Sequence, residues 1–483
     1  MKKIYAISLV FLMFMSCGKL EKLNQNIKDP TVVPGESLFT GAQKYLADQM
    51  VTPNVNRNIF ELISQYWTET TYTDEVNYDI ITRPIPGNHW NSLYVNVLKG
   101  FDESAKVISA AGTLPGDGPS VVTNKLAIIE VMNVYTYSVL VETFGNIPYT
   151  EALVASVLLP KYDDGLTIYK DLLSRLNAAI GKMDQTAGSF GGTDIMYGGD
   201  VPKWYKFANS LKLRMGMVLS DVDNALASTT VGEAAPNVIL SNADNASFKY
   251  LAAQPNTNPI YDNLIASGRN DFVPANTFVD LMNDRNDPRR PLYYTEIDTS
   301  TTGTPKMAYV GGIYGASNNF LGFSHVSAQI LTPTFEMLFF DAAEAEFLLA
   351  EGAERGFSVG GTAEEHYNNA IRASIVYWGG VDADATTYLA EPKVAYTTAT
   401  GTWQQKIGEQ KWIALYLRGF DAWTSYRMLD YPILVAPPDA KSVLPLRLTY
   451  PTSEQTLNGV NRAAAAAAIG GDDVGTKLFF DKH

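Results

Sequence analysis

Apolar residues recur at threes and fours through most of the first half of the chain, and that period predicts helix after helix. One stripe starts near Ser37 and carries Leu38, Ala42, Tyr45 and Gln49 on one side. A second runs from 88 to about 111 through Trp90, Leu93, Tyr94, Val97, Leu98, Phe101 and Ala105. Residues 112–120 hold three glycines and two prolines, which break the chain. Leu126, Ile129, Met132, Tyr135 and Val139 predict a third helix ending before Gly145. Asp163 or Asp164 is placed to cap a fourth, with Tyr169, Leu172, Leu176, Ile180 and Met183 on its apolar line. A fifth spans 201 to about 222 through Trp204, Ala208, Leu211, Met215, Val218 and Val222. Short polar turns separate these helices. Antiparallel hairpins stacked as a solenoid satisfy the pattern, because each hairpin buries its apolar side against the next. No strict 34-residue repeat is present.

The pattern changes between 228 and 330, where Asn, Thr, Gly and Pro are frequent. There 248–251 and 307–310 read as small strands or isolated turns, and Asn276 as the cap of a short helix with Phe278, Leu281 and Met282. A strong helix is predicted from Phe335 to Glu354 on the stripe Leu338, Ala342, Ala345, Leu349, followed by helices at 363–378, 403–418 and around Ala422–Met428. The stretch 379–401 reads as variable connection. Prolines at 432, 437, 438, 445 and 451 favour extended or loop backbone to the end, with the six alanines 463–468 as one short helical turn.

The first residues, MKKIYAISLVFLMFMSC, pair two lysines with an apolar run too short to anchor as a folded span, then the single cysteine of the chain, Cys17. This pattern resembles a bacterial lipobox and predicts a signal at 1–16, acylation of Cys17 and a polar tether over 17–35. With one cysteine, disulfides cannot hold the fold. The expected organisation after the tether is one large body, 36–483. Its parts are helical repeats (36–227), a loop-rich insert (228–334), a second helical part (335–428) and an irregular C-terminal part (429–483).

Of 483 residues 18% are charged and 46% hydrophobic, and no later segment has eighteen consecutive apolar residues. Mean hydropathy is -0.07. The net charge of -14 argues against nucleic acid or an anionic bilayer as main partner. Four scattered histidines, at 89, 325, 366 and 483, make a zinc or non-haem iron site unexpected; no EF-hand loop is present, and no metal or cofactor is assigned. No GxSxG elbow, HExxH motif, Walker loop or dinucleotide fingerprint occurs in a convincing context, so no catalytic residue is assigned and the chain reads as a non-enzyme. Seven Trp, 27 Tyr and 21 Phe suit both core packing and contact with polar ligands.

Several phrases then occur in a telling order. Tyr137–Tyr149 reads YSVLVETFGNIPY and is followed by Glu151–Ala152; DRNDPR occupies 284–289 and DAAEAEF 341–347. IGEQKW at 407–412 precedes LRGFDAW at 417–423, and LPLR at 444–447 leads through Tyr450–Pro451 to Glu454 and Asn461. This ordered set resembles the SusD/RagB family of Bacteroidota outer-membrane lipoproteins. The resemblance implies a mainly α fold, with tetratricopeptide-like helical hairpins as scaffold, a loop-rich region and few short strands. It also implies a lipid-anchored subunit of the outer membrane, facing the cell exterior over a SusC/RagA-like TonB-dependent transporter, that captures oligosaccharides or glycans. Peptide capture by a protein of the same type and a helical-repeat adaptor are the alternatives.

The phrases themselves read as scaffold: Gly145 stops a helix, Pro148 stiffens a turn, and Glu409, Lys411, Arg418 and Asp421 lace neighbouring helices. Glu344 and Glu346, two apart, do not face together on a helix and make a poor catalytic pair. Trp412 and Trp423 read as core rings. Ligand candidates come instead from two aromatic, polar segments. Residues 65–74, QYWTETTYTD, with Tyr78 and Arg83 following, offer Trp67 and Tyr72 as platforms. Residues 306–323 offer Tyr314 as a ring and Asn319 as an amide, with Gly311 and Gly312 permitting close backbone approach. On this reading Trp67→Ala weakens capture without unfolding the protein.

Overall fold

The computed structural model describes residues 33–113, 117–301 and 303–483; the predicted signal, Cys17 and the tether as far as residue 32 lie outside them. Five helical hairpins build the body. Helix α1 (Gly35–Val51) packs on α2 (Lys99–Ala111), α3 (Pro119–Phe144) on α4 (Gly165–Lys182), and α5 (Val201–Val218) on α6 (Asn224–Ala234). After a long irregular passage, α7 (Ala342–Glu354) packs on α8 (Ala363–Tyr377), and α9 (Trp403–Ala414) on α10 (Gly419–Leu429). The hairpins also touch in series, α2 with α3, α4 with α5, α5 with α7 and α7 with α9, so each apolar stripe is covered on both sides.

Local chemistry sets the helix ends. Asp164, rather than Asp163, caps α4 by accepting from the Thr167 N–H, and Asp341 caps α7 by accepting from that of Glu344. Thr362 and Glu365 cap α8 reciprocally. Helix α3 is long and apolar enough to cross a bilayer, but most of it is wrapped by its neighbours, which marks a core helix.

The structure departs from the periodicity in instructive places. The predicted helix at 335–354 is a strand over its first part (Met337–Phe340), because a short apolar run serves either state and pairing with Ala246–Phe248 decides it. The helix predicted at 88–111 is wound wider over Ser92–Leu98. Helix α6 straddles the predicted boundary at 228, and 379–401 contains a helix at Asp382–Leu389. The C-terminal part is less irregular than its prolines imply, with helices at Thr452–Leu457 and Gly459–Ala468. Asn276 is the first residue of its helix, not the cap. Among the described residues the strands form four two-stranded pairs and no larger sheet.

The early and late chain are interlocked. The Tyr66 hydroxyl donates to the Trp412 carbonyl (2.5 Å), and the Trp412 indole N–H donates to the Ser64 carbonyl (3.0 Å). The Gly419 N–H donates to Glu61 Oε1 (2.7 Å), and the Ser64 hydroxyl to the Gly419 carbonyl (2.9 Å). Trp412 and Trp423 are buried rings, as read from the sequence.

The candidate scaffold charges form buried networks. Arg418 meets Asp341, Glu344 and Asp421; Arg214 meets Glu344 and Asp421; and Arg289 holds Asp287 at 2.6 Å with neither side chain exposed. Glu409 pairs with Arg285. Glu344 and Glu346 diverge as their spacing requires, Glu346 meeting His366 at 2.6 Å. The other ring nitrogen of His366 faces the Gly360 carbonyl, so both nitrogens face acceptors; burial opposes the charge, but these partners raise the imidazole pKa.

Candidate ligand pocket

Strand β1 (Trp67–Glu69) runs antiparallel to β5 (Phe272–Pro274), and this pairing builds the site. It aligns Glu69 with Phe272, and the Thr70 N–H donates to the Asp271 carbonyl just beyond. The chain then turns back sharply: Tyr72 and Tyr78 both have positive φ, 52° and 61°. Glu69 closes this turn by accepting from the Val76 N–H at 3.1 Å.

The second candidate segment is brought against the first. The Asn318 N–H and the Ser317 hydroxyl donate to the Thr70 carbonyl at 2.9 and 2.8 Å, and the Asn77 amide donates to the Gly315 carbonyl at 2.8 Å. Gly311 lets the same loop lie close against the backbone that follows the 272–274 strand, since a Cβ there would lie 2.5 Å from the Asn276 backbone nitrogen.

The four candidate residues fare differently. Tyr72 is 72% exposed and stands free. Trp67 is 1% exposed, with its indole N–H given to the Tyr416 hydroxyl at 2.9 Å and its ring beside Phe272. Its place in β1 points it into the core, which corrects the platform reading. Tyr314 is also buried (8% exposed), its hydroxyl donating to the Leu62 carbonyl at 2.7 Å, so it anchors the crossing loop rather than facing outward. Asn319 is spent locally: its side-chain oxygen accepts from the Leu321 N–H at the start of the 320–322 turn.

Beside Tyr72 lies a cavity of about 190 Å³ lined by Asn54, Asn56, Glu69, Thr71, Glu75, Arg83, Asn263, Arg269 and Asp271. Arg83 pairs with Glu75, and Arg269 with Asp271 at 2.5 Å. Amides, two guanidiniums and carboxylates around an exposed ring are the groups that bond hydroxyls and cover an apolar sugar face. A second hollow of about 310 Å³ shares Arg269 and Phe272 and adds Phe320 and His325, whose rings stack at 3.9 Å. The passage 263–271 escaped the sequence reading. Its only local signal is the polar Gly268–Asp271 turn before an apolar strand.

A larger cleft of about 940 Å³ lies elsewhere, between α1 and the segments 194–198 and 242–256. Its rings are committed, Phe248 being buried and the Tyr197 hydroxyl donating to the Asp244 carbonyl. It presents lysines 44, 203 and 249 more than a free aromatic face.

Comparison with known proteins covers most of the chain. A SusD-like family model, described as starch-binding associating with outer membrane, matches residues 26–451. A chitin-binding protein of solved structure superposes with a TM-score of 0.80 at 25% identity, over 93% of this chain and all of that one. A SusD homolog from Bacteroides uniformis and a chitin-binding SusD homolog from Flavobacterium johnsoniae each give 0.77 at 25% identity, over 92% of this chain and 99% of theirs. No curated protein sequence matches.

Proposed function

On the premise that the chain belongs to the SusD-like family, whose members are outer-membrane-associated binding proteins and not enzymes, we propose that it captures an oligosaccharide at the cell surface and delivers it to a TonB-dependent outer-membrane transporter. The observation that carries this reading is Tyr72, held in a left-handed turn at the mouth of a polar cavity and presenting its ring to solvent. The names of the similar chitin-binding structures and the family's starch-binding description support a glycan over a peptide. Cys17, behind its signal-like run, is the proposed lipid anchor, and incorporation of an acyl label at that residue tests it. Reversible capture suits transfer, and several modest contacts achieve it better than one tight pocket.

Tyr72→Ala is the direct test. Loss of one stacking ring is expected to weaken binding of chitohexaose or maltoheptaose about two- to twelvefold, as about 0.5–1.5 kcal/mol of aromatic contact implies. Calorimetric titration of the full chain measures it. Unchanged affinity in a folded variant removes Tyr72 from the site. Binding of peptides in place of both sugars shifts the function to peptide capture.

A further inference from the structure

Glu69 and Glu75 bracket the turn that carries Tyr72, and both carboxyls are buried against the cavity. The Glu75 side chain has no exposed surface; Arg83 is its charge partner, and no well-aligned hydrogen bond reaches either of its oxygens among the described residues. One Glu69 oxygen takes the Val76 N–H. Val76 directly follows Glu75, so this bond brings the Glu69 carboxyl up to the Glu75 backbone, and both side chains line the same cavity.

The charged and titratable groups around them come from every neighbouring element. Asp74 sits on the same turn and Arg83 on the segment that follows. Arg269 and Asp271 arrive before β5, paired to each other, and the Tyr314 hydroxyl approaches from the crossing loop. Arg83 meets Glu75, and no cation pairs with Glu69 among the described residues. Two carboxylates in one dry site do not both ionise; one proton between them converts repulsion into a hydrogen bond.

We propose that Glu69 and Glu75 share a single proton, and that this proton clamps the two ends of the 70–74 turn and so keeps Tyr72 presented to ligand. Both are positioning residues that act through Tyr72. The second half of the inference rests on the reading of this cavity as the capture site; the first half does not. Burial, then the facing carboxyl, raises Glu69; burial raises Glu75 as well, against the pull of Glu69 and Arg83. The folded protein thus holds a proton that the unfolded chain releases. Its contribution is intact at low pH and is lost as pH climbs from the ordinary carboxylate range through the raised one.

The test follows thermal unfolding and the binding of chitohexaose and maltoheptaose by the full chain between about pH 7 and about pH 10. It compares the natural chain, Glu69→Gln, Glu75→Gln and Tyr72→Ala. An amide at position 69 donates to Glu75 at any pH. The natural chain is expected to lose about tenfold or more in affinity across the range, one proton per site being linked to binding. Glu69→Gln, whatever its affinity at neutral pH, is expected to show no such fall. A natural chain whose affinity is flat with pH, or a Glu69→Gln variant with the same fall, overturns the clamp.

If neither sugar binds at any pH, the capture reading fails and unfolding judges the pair alone. The melting temperature of the natural chain then falls with pH, and that of Glu69→Gln falls less; equal falls overturn the shared proton. Glu75→Gln repeats the comparison should Glu69→Gln not fold. Tyr72→Ala keeps the natural unfolding profile while losing affinity.

Discussion

Arg418→Met is expected to destabilise the protein by about 3–5 kcal/mol, the cost of removing one partner from a buried ion cluster. Arg418 donates from Nε to Asp421 Oδ2 at 2.9 Å and meets Asp341 at 3.1 Å, and it also pairs with Glu344. Arg214 meets Glu344 at 2.6 Å and Asp421 at 3.3 Å. Burial alone would raise the Glu344 carboxyl, but Arg214 and Arg418 hold it well below the usual range. Without Arg418, three buried acids face Arg214 and the nearby Lys411, whose own charge burial disfavours. Methionine fills the space and supplies no charge. Arg418→Lys is expected to recover only part of the loss, since one ammonium cannot serve three carboxylates in fixed directions. Urea unfolding at constant slope measures both variants. A loss below about 1 kcal/mol would mean that the cluster is dispensable.

Trp67→Ala is expected to cost about 3–5 kcal/mol through the cavity it leaves and the donor withdrawn from Tyr416. Any loss of sugar affinity then follows from a displaced β1 and appears together with a lowered melting temperature. Tyr72→Ala, five residues on, is expected to move stability by no more than about 0.5 kcal/mol. If Trp67→Ala keeps the natural melting temperature, the indole does not hold β1 against the late helices.

That contrast shows where the chain was legible. The period of the helices and the divergence of Glu344 and Glu346 are local properties, and both were readable. QYWTETTYTD was singled out for its rings and polar groups, and the structure sets that segment beside the second candidate, 306–323. Which ring faces out was not. Trp67 is buried by Tyr416, 349 positions away, and no nearby residue announces that contact. Arg269 and Asp271 were missed for the same reason, since only the β1–β5 register carries them to Tyr72. Met337–Phe340 failed at a shorter range: four apolar residues suit helix or strand, and a partner ninety positions earlier decides.

The interlock of residues 61–66 with 412–419 has a temporal meaning. A chain halted near residue 400 carries every residue that lines the cavity beside Tyr72, yet it lacks Trp412, Tyr416 and Gly419, on which that wall rests. Contacts of such long sequence separation close late, because the loop between them must first be ordered. The pocket is therefore written early and set last. The wall beside Tyr72 is complete only once residues 412–419 have joined it, and a fragment ending near residue 400 is expected to lack that support.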